Sequence, residues 1–143
     1  MIAVDTNLLV YAHRGDSPFH AVALETVRQL AEGRASWAIP WPCVHEFYNI
    51  VTHPRVYSPP STSTEAIDQI DFWLESPTLL LLAEDERHWP HLRQLIGKAK
   101  VQGPMVHDAR IAALCLGHGV RELWSADRDF SRFPDLHVRN PLV

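Results

Sequence analysis

The chain divides into two hydrophobic patterns: short unbroken apolar runs, and longer stretches whose apolar residues recur three or four positions apart. The first pattern marks strands buried in a parallel sheet and the second marks amphipathic helices. Ile2-Ala3-Val4, Trp37-Ala38-Ile39, Leu79 to Leu82 and Leu123 to Ser125 are the predicted strands, with a short closing strand near His137 to Arg139. The run Leu79 to Leu82 is apolar at every position, which predicts a strand covered on both faces. Leu8 to Ala12 predicts a short helix behind the first strand. Ser17-Pro18 predicts the start of the next, with Ser as N-cap and Pro at the first helical position. Phe19, Ala23, Val27 and Leu30 would form its inward stripe, and Gly33 its end.

Pro42 opens a third predicted helix with Val44, Phe47 and Val51 as its buried stripe and Glu46 at the edge of that stripe. Residues 53 to 63 hold Pro54, Pro59 and Pro60 and read as loop. Thr62 and Glu65 then have the spacing of a capping box, opening a helix that carries Ile67, Ile70 and Leu74. Two more helices are predicted, from about His88 to Lys100 with Trp89, Leu92, Leu95 and Ile96 inward, and from His107 to Leu116. Strands alternating with helices predict an α/β sandwich around a mainly parallel sheet.

With 143 residues the chain is one domain's worth, and its 46% hydrophobic and 21% charged content is that of an ordinary globular protein. The formal charge of −4 argues against a broad basic face for nucleic acid. Any such substrate would need metal and a local set of cations, for which Arg14, Arg55, Arg110, Arg128 and Arg132 are candidates. Cys43 and Cys115 are isolated, which argues against a zinc site or a disulfide framework and for buried free thiols in a reducing cytoplasm. No apolar run approaches the length of a membrane span, and Met1 leads directly into a strand, so neither signal peptide nor membrane segment is expected.

Candidate chemistry lies in four acidic residues, Asp5, Glu46, Asp108 and Asp127. Asp5 and Asp127 follow predicted strands, and ligands of open α/β sheets bind beyond the carboxyl ends of strands. Neighbouring strands are about 5 Å apart. Four carboxylates meeting there would repel one another strongly unless divalent metal sat among them. Each residue also has a plainer reading. Asp5 and Asp108 stand where they could cap or complement a helix, Glu46 could be a surface residue, and Asp127 and Asp129 could be turn residues. Thr6, Asn7 and Ser125 flank the set with short hydroxyl or amide groups suited to orienting carboxylates. His45 and His107 each precede a candidate acid, but adjacent residues on a helix point about 100° apart, so they are poor ligands to the same site.

Val4-Asp5-Thr6-Asn7, Glu46-Phe47, Asp108-Ala109 and the run Ser125-Ala126-Asp127-Arg128-Asp129-Phe130 together resemble the PIN-domain ribonucleases, and among them the VapC toxins of type II toxin–antitoxin pairs. Thr52-His53-Pro54-Arg55 and the terminal Asn140-Pro141-Leu142 resemble one VapC subgroup. Ser125 departs from the Thr common in the family but keeps the hydroxyl. The resemblance spans nearly the whole chain and implies a single PIN domain over residues 1–143, a three-layer sandwich. It implies an endoribonuclease using Mg²⁺ or Mn²⁺, with Asp5 and Asp108 as principal ligands, Glu46 and Asp127 completing the pocket and Asp129 peripheral. It also implies a homodimer and a small VapB-type antitoxin, for which the helices around Phe19 to Leu30 and Val44 to Val51 are the expected groove. Trp41, Trp73 and Trp89 belong either to the core or to such a surface. Two rivals stand beside this reading: a catalytically inactive PIN-like binding module, and a hydrolase forming an aspartyl-phosphate at Asp5. The second usually needs a carboxylate at position 7 and a supporting Lys, whereas Asn7 stands there and no Lys precedes Lys98.

Overall fold

The computed structural model describes residues 1–143. Five strands form one sheet, each pairing in parallel: β1 (Ile2–Val4), β2 (Trp37–Pro40), β3 (Leu79–Leu82), β4 (Glu122–Trp124) and β5 (Val138–Arg139), in the order β3-β2-β1-β4-β5. The helices are α1 (Thr6–His13), α2 (His20–Glu32), α3 (Trp41–Val51), α4 (Ser63–Leu74), α5 (His88–Ala99) and α6 (Met105–Gly117), with a 3₁₀ helix at Arg128–Arg132. From β1 to β3 the chain steps in one direction across the sheet, and it then returns past β1 to β4. Right-handed crossovers therefore put α1 to α4 on one face and α5 and α6 on the other. The packing agrees: α1 meets α2 and α3, α3 meets α4, and α5 meets α6. The fold is the predicted α/β sandwich with a wholly parallel sheet.

The core is one cluster in which Ala3, Val4, Trp37, Ala38, Ile39 and Leu123 supply the sheet. Phe47 of α3 is fully buried and meets Trp73 of α4 edge-on, with ring centroids 4.9 Å apart. The capping box at Thr62 forms as predicted, Thr62 Oγ1 accepting from the Glu65 amide at 3.1 Å and Glu65 Oε1 from the Thr62 amide at 3.0 Å.

Several expectations are corrected. β3 is an edge strand, so Leu80 is half exposed and the run is not covered on both faces. Ser17-Pro18 forms a turn ahead of α2, with Ser17 Oγ accepting from the Phe19 amide at 3.1 Å, and the helix starts at His20. Phe19 consequently lies outside the inward stripe and is exposed. On α4 Ile70 packs against the core as predicted, but the fully buried positions are Ala66 and Trp73, while Ile67 and Leu74, one residue further on, face outward. Trp73 is core, Trp41 is partly buried, and Trp89 is exposed on α5.

Candidate active site

The strand order reverses direction between β1 and β4, and ligands of open α/β sheets bind at that switch point, beyond the strand ends. The chain leaves β1 through Asp5 and β4 through Ser125-Ala126-Asp127. Asp5 is held there partly by the ladder itself, since its amide donates to the Trp124 carbonyl at 3.0 Å.

Asp5 occupies the N-cap position of α1, yet its side chain makes no capping hydrogen bond. Its carboxylate is buried and turned to other partners. Ser125 Oγ donates to Oδ2 at 2.7 Å, Asn7 Nδ2 donates to the same oxygen at 3.4 Å, and Cys43 Sγ donates to Oδ1 at 3.5 Å. Burial raises the Asp5 pKa; the hydrogen bonds from Ser125, the Thr6 backbone and Cys43 oppose the rise, and the charge of Asp127 adds to it. Cys43 keeps its proton for this bond because burial, and then the Asp5 charge, push its thiol well above the ordinary range.

Ser125 is the centre of a local network. Its Oγ also accepts from the Asp127 amide at 2.9 Å, and Asn7 bridges back through Oδ1, which accepts from the Ala126 amide at 3.1 Å. These bonds lock the turn after β4 to the start of α1. Asp127 does cap its 3₁₀ helix, its Oδ1 accepting from the Asp129 amide at 2.8 Å. Asp108 lies in the first turn of α6, three residues past Met105, and does not cap it, since the N-cap is Pro104.

Carboxylate oxygens of Asp108, Asp127 and Asp129 all lie within 4.8 Å of one another. Asp129, expected at the periphery, is thus in the closest acidic group, while Asp5 and Glu46 stand around it. Their charges still act across the site. Asp108 is raised to about 6, by desolvation first and then by Asp127, Asp5 and Asp129, with Arg132 opposing. Glu46 is exposed at the rim, where partial desolvation and the charges of Asp5 and Asp108 raise it and His107 opposes. The donor set is all oxygen, with the buried Thr6 hydroxyl beside Asp5, and it fits a hard ion such as Mg²⁺ or Mn²⁺ rather than zinc.

Sequence reasoning missed the contact of Cys43 with Asp5. The available signal was its position three residues before Glu46, on the same side of α3. Arg14 and Arg110 prove to be otherwise engaged: Arg14 pairs with Asp16 at 2.7 Å and lies over the Tyr57 ring, and Arg110 pairs with Glu84. His45 is exposed beside Trp41, with ring centroids 6.1 Å apart.

The PIN domain family model matches residues 2–136. Ribonuclease VapC43 of Mycobacterium tuberculosis is 37% identical over 142 residues, covering 99% of this chain and 96% of that protein. Ribonuclease VapC48 of the same organism is 31% identical over 137 residues, covering 96% and 94%. Among solved structures, VapBC2 from Rickettsia felis bound to a promoter DNA fragment superposes with a TM-score of 0.72 at 19% identity, covering 98% of each chain. VapC20 of Mycobacterium tuberculosis, described as a sarcin-ricin loop cleaving toxin, gives a TM-score of 0.64 at 16% identity, covering 92% of this chain and 93% of that one. At those identities the likeness to solved structures speaks for the fold, while the family rests on the model match and the curated relatives. The chain belongs to the PIN domain family, among its VapC-type members.

Proposed function

We infer that this protein is a metal-dependent endoribonuclease and the toxin of a type II toxin–antitoxin pair, residues 1–143 acting as one PIN unit. The observation that carries the reading is Asp5. It is a buried carboxylate released from helix capping and fixed by three side chains, at the switch point where the Asp108, Asp127 and Asp129 carboxylates also gather.

In this reading Asp5 and Asp108 are the principal ligands of Mg²⁺ or Mn²⁺, and Glu46 and Asp127 complete the pocket. When bound, the ion neutralises charge at the scissile phosphate and makes water more acidic. Ser125, Asn7 and Cys43 hold Asp5 in one orientation, and the Asp127 cap fixes where Asp129 points. Thr6 adds a buried hydroxyl oxygen next to Asp5. A phosphate-accepting nucleophile at Asp5 is disfavoured because Asn7 stands where the second carboxylate belongs and no Lys precedes Lys98. The intact acidic set counts against an inactive binding module.

RNA as substrate is supported by the ribonuclease names of the curated relatives, and an unpaired or loop strand by the readability of its bases. A VapB-type antitoxin is supported by the VapBC assemblies among the structural neighbours, including those of Haemophilus influenzae and Salmonella typhimurium. Exposed apolar residues on and before α2 (Phe19, Val22, Leu24) and on α3 (Tyr48) are available to its helix and to a second protomer. No helix is long and apolar enough to cross a membrane.

The test is RNA cleavage by the purified protein in Mg²⁺ or Mn²⁺, abolished by EDTA and restored by excess ion. Cleavage indifferent to EDTA would remove the metal, and no cleavage with any divalent ion would remove the nuclease. Light scattering at the 16.3 kDa monomer mass would remove the homodimer.

A further inference from the structure

The 3₁₀ helix that begins at the Asp127 cap runs from the acidic centre toward a separate cleft. The buried Leu95 of α5 and the buried Phe133 lie at the floor of this cleft, Ala99 lines its side, and the exposed Lys98, Arg132 and Asp135 stand around its mouth. Its volume is about 200 Å³. Pockets for drug-sized ligands run to roughly 300–1,000 Å³, so this one suits a single flat ring system rather than a larger ligand. At about 2 Å of rise per residue, Arg132 stands roughly 10 Å along the 3₁₀ helix from Asp127, a distance a short stretch of single strand covers.

The mouth of the cleft has a definite hydrogen-bonding character. Asp135 offers two acceptor oxygens and no donor, whereas Lys98 and Arg132 offer donors and no acceptor. Lys98 Nζ and Asp135 Oδ2 are 2.8 Å apart, with side chains 58% and 59% exposed. An ion pair so exposed contributes only about 0–1 kcal/mol, so opening it for a ligand costs little. Among RNA bases, guanine alone presents two adjacent N–H donor groups, at N1 and N2, to match a carboxylate. It also presents acceptors at O6 and N7, which Lys and Arg read. In an unpaired strand both edges are free.

We propose that this cleft receives one unpaired guanine base of the RNA, close to the phosphate that is cut. The proposal rests on the ribonuclease reading and adds a base preference to it. Asp135 accepts hydrogen bonds from N1–H and N2–H, Lys98 and Arg132 donate to O6 and N7, and the base lies over the floor that Leu95 and Phe133 form.

The experiment measures binding apart from cleavage, by fluorescence anisotropy of the Asp5→Asn protein in Mg²⁺. The probes are short uridine strands carrying one central guanine, inosine or adenine. The guanine strand should bind about tenfold more tightly than the adenine strand, as one well-matched carboxylate–base pair gives. Inosine, which lacks the N2 amino group, should fall between them. Asp135→Ala and the cleft-filling Ala99→Trp, each in the same background, should bring the guanine strand down to the adenine value. Equal binding of all three strands, or a guanine preference that survives both variants, would overturn the proposal. Cleavage by the otherwise unaltered protein is followed in parallel on the same strands. Cleavage without any base preference in binding leaves the nuclease standing and removes the guanine cleft; neither cleavage nor RNA binding removes both.

Discussion

Glu46 and Phe47 are chain neighbours on α3, yet they face regions built on opposite principles. Phe47 is fully buried between Trp73, with centroids 4.9 Å apart, and His13 at 5.3 Å, and every contact it makes favours the folded chain. Glu46 faces a rim where partial burial, and after it the charges of Asp5, Asp108 and Asp127, push its pKa up against a smaller opposing effect of His107, so its ionised form opposes folding. Stability is concentrated under α3, and the candidate chemistry is concentrated beyond the strand ends. Mutations should therefore separate the two.

Phe47→Ala should have the largest effect, a loss of about 3–5 kcal/mol in unfolding free energy from the cavity it leaves. Urea denaturation measures it, and a loss below 1 kcal/mol would mean that α3 is not anchored where the packing places it. Asp5→Asn should do the reverse. RNA cleavage should fall by about a hundredfold or more, since even residues that only orient a ligand are worth roughly 10–100-fold. Thermal stability should be unchanged or raised, because the substitution keeps the shape and removes a disfavoured buried charge. Undiminished cleavage would sink the role given to Asp5, and a collapsed melting temperature would erase the contrast with Phe47.

Ser125→Ala touches both regions more gently. It removes the 2.7 Å bond to Asp5 and the 2.9 Å bond from the Asp127 amide, so activity should drop about tenfold and stability by about 1–2 kcal/mol. Ser125→Thr keeps the hydroxyl and should retain most activity. Alanine and threonine variants of equal activity would show the network to be passive.

The smallest effect is a pH dependence. Asp108 is raised to about 6 in the folded protein, above its unfolded value near 3.8, so its favourable contribution to the metal-free protein is complete below about pH 4 and is lost as pH rises through about 6. The metal-free melting temperature should accordingly decline between pH 5 and 7 as far as this group controls it. Mg²⁺ affinity should run the other way and weaken as pH falls from 7 to 5, because ion and proton compete for the same carboxylates. Calorimetric titration at the two pH values checks this, and equal affinity at both would count against a carboxylate site.

Elements whose signal is local are legible in the sequence. The strands are displaced by no more than about a residue, the Thr62–Glu65 box forms both its bonds, and Gly33 ends α2 at its C-cap. Capping bonds and periodicity act within a few residues, so the chain carries them by itself. Exposure behaves differently. Whether Leu80 is covered depends on β3 being the last strand of the sheet, and whether Ile67 or Ala66 faces inward depends on how α4 leans on α3. Leucine runs and helical spacing are the same in either case.

The candidate site divides along the same line. That Asp5 and Asp127 follow strands could be read from the order of residues, because a carboxylate after a strand ends up at the sheet's carboxyl edge whatever lies beside it. That β1 and β4 are neighbours could not, and this adjacency brings Ser125 to Asp5 across 120 positions of chain. It likewise took the folded chain to draw Asp129 into the closest acidic group and to turn the Cys43 thiol toward Asp5. Hydrogen bonds and charge interactions fade within a few ångströms, and distance along the chain says little about distance in space until the strands have paired.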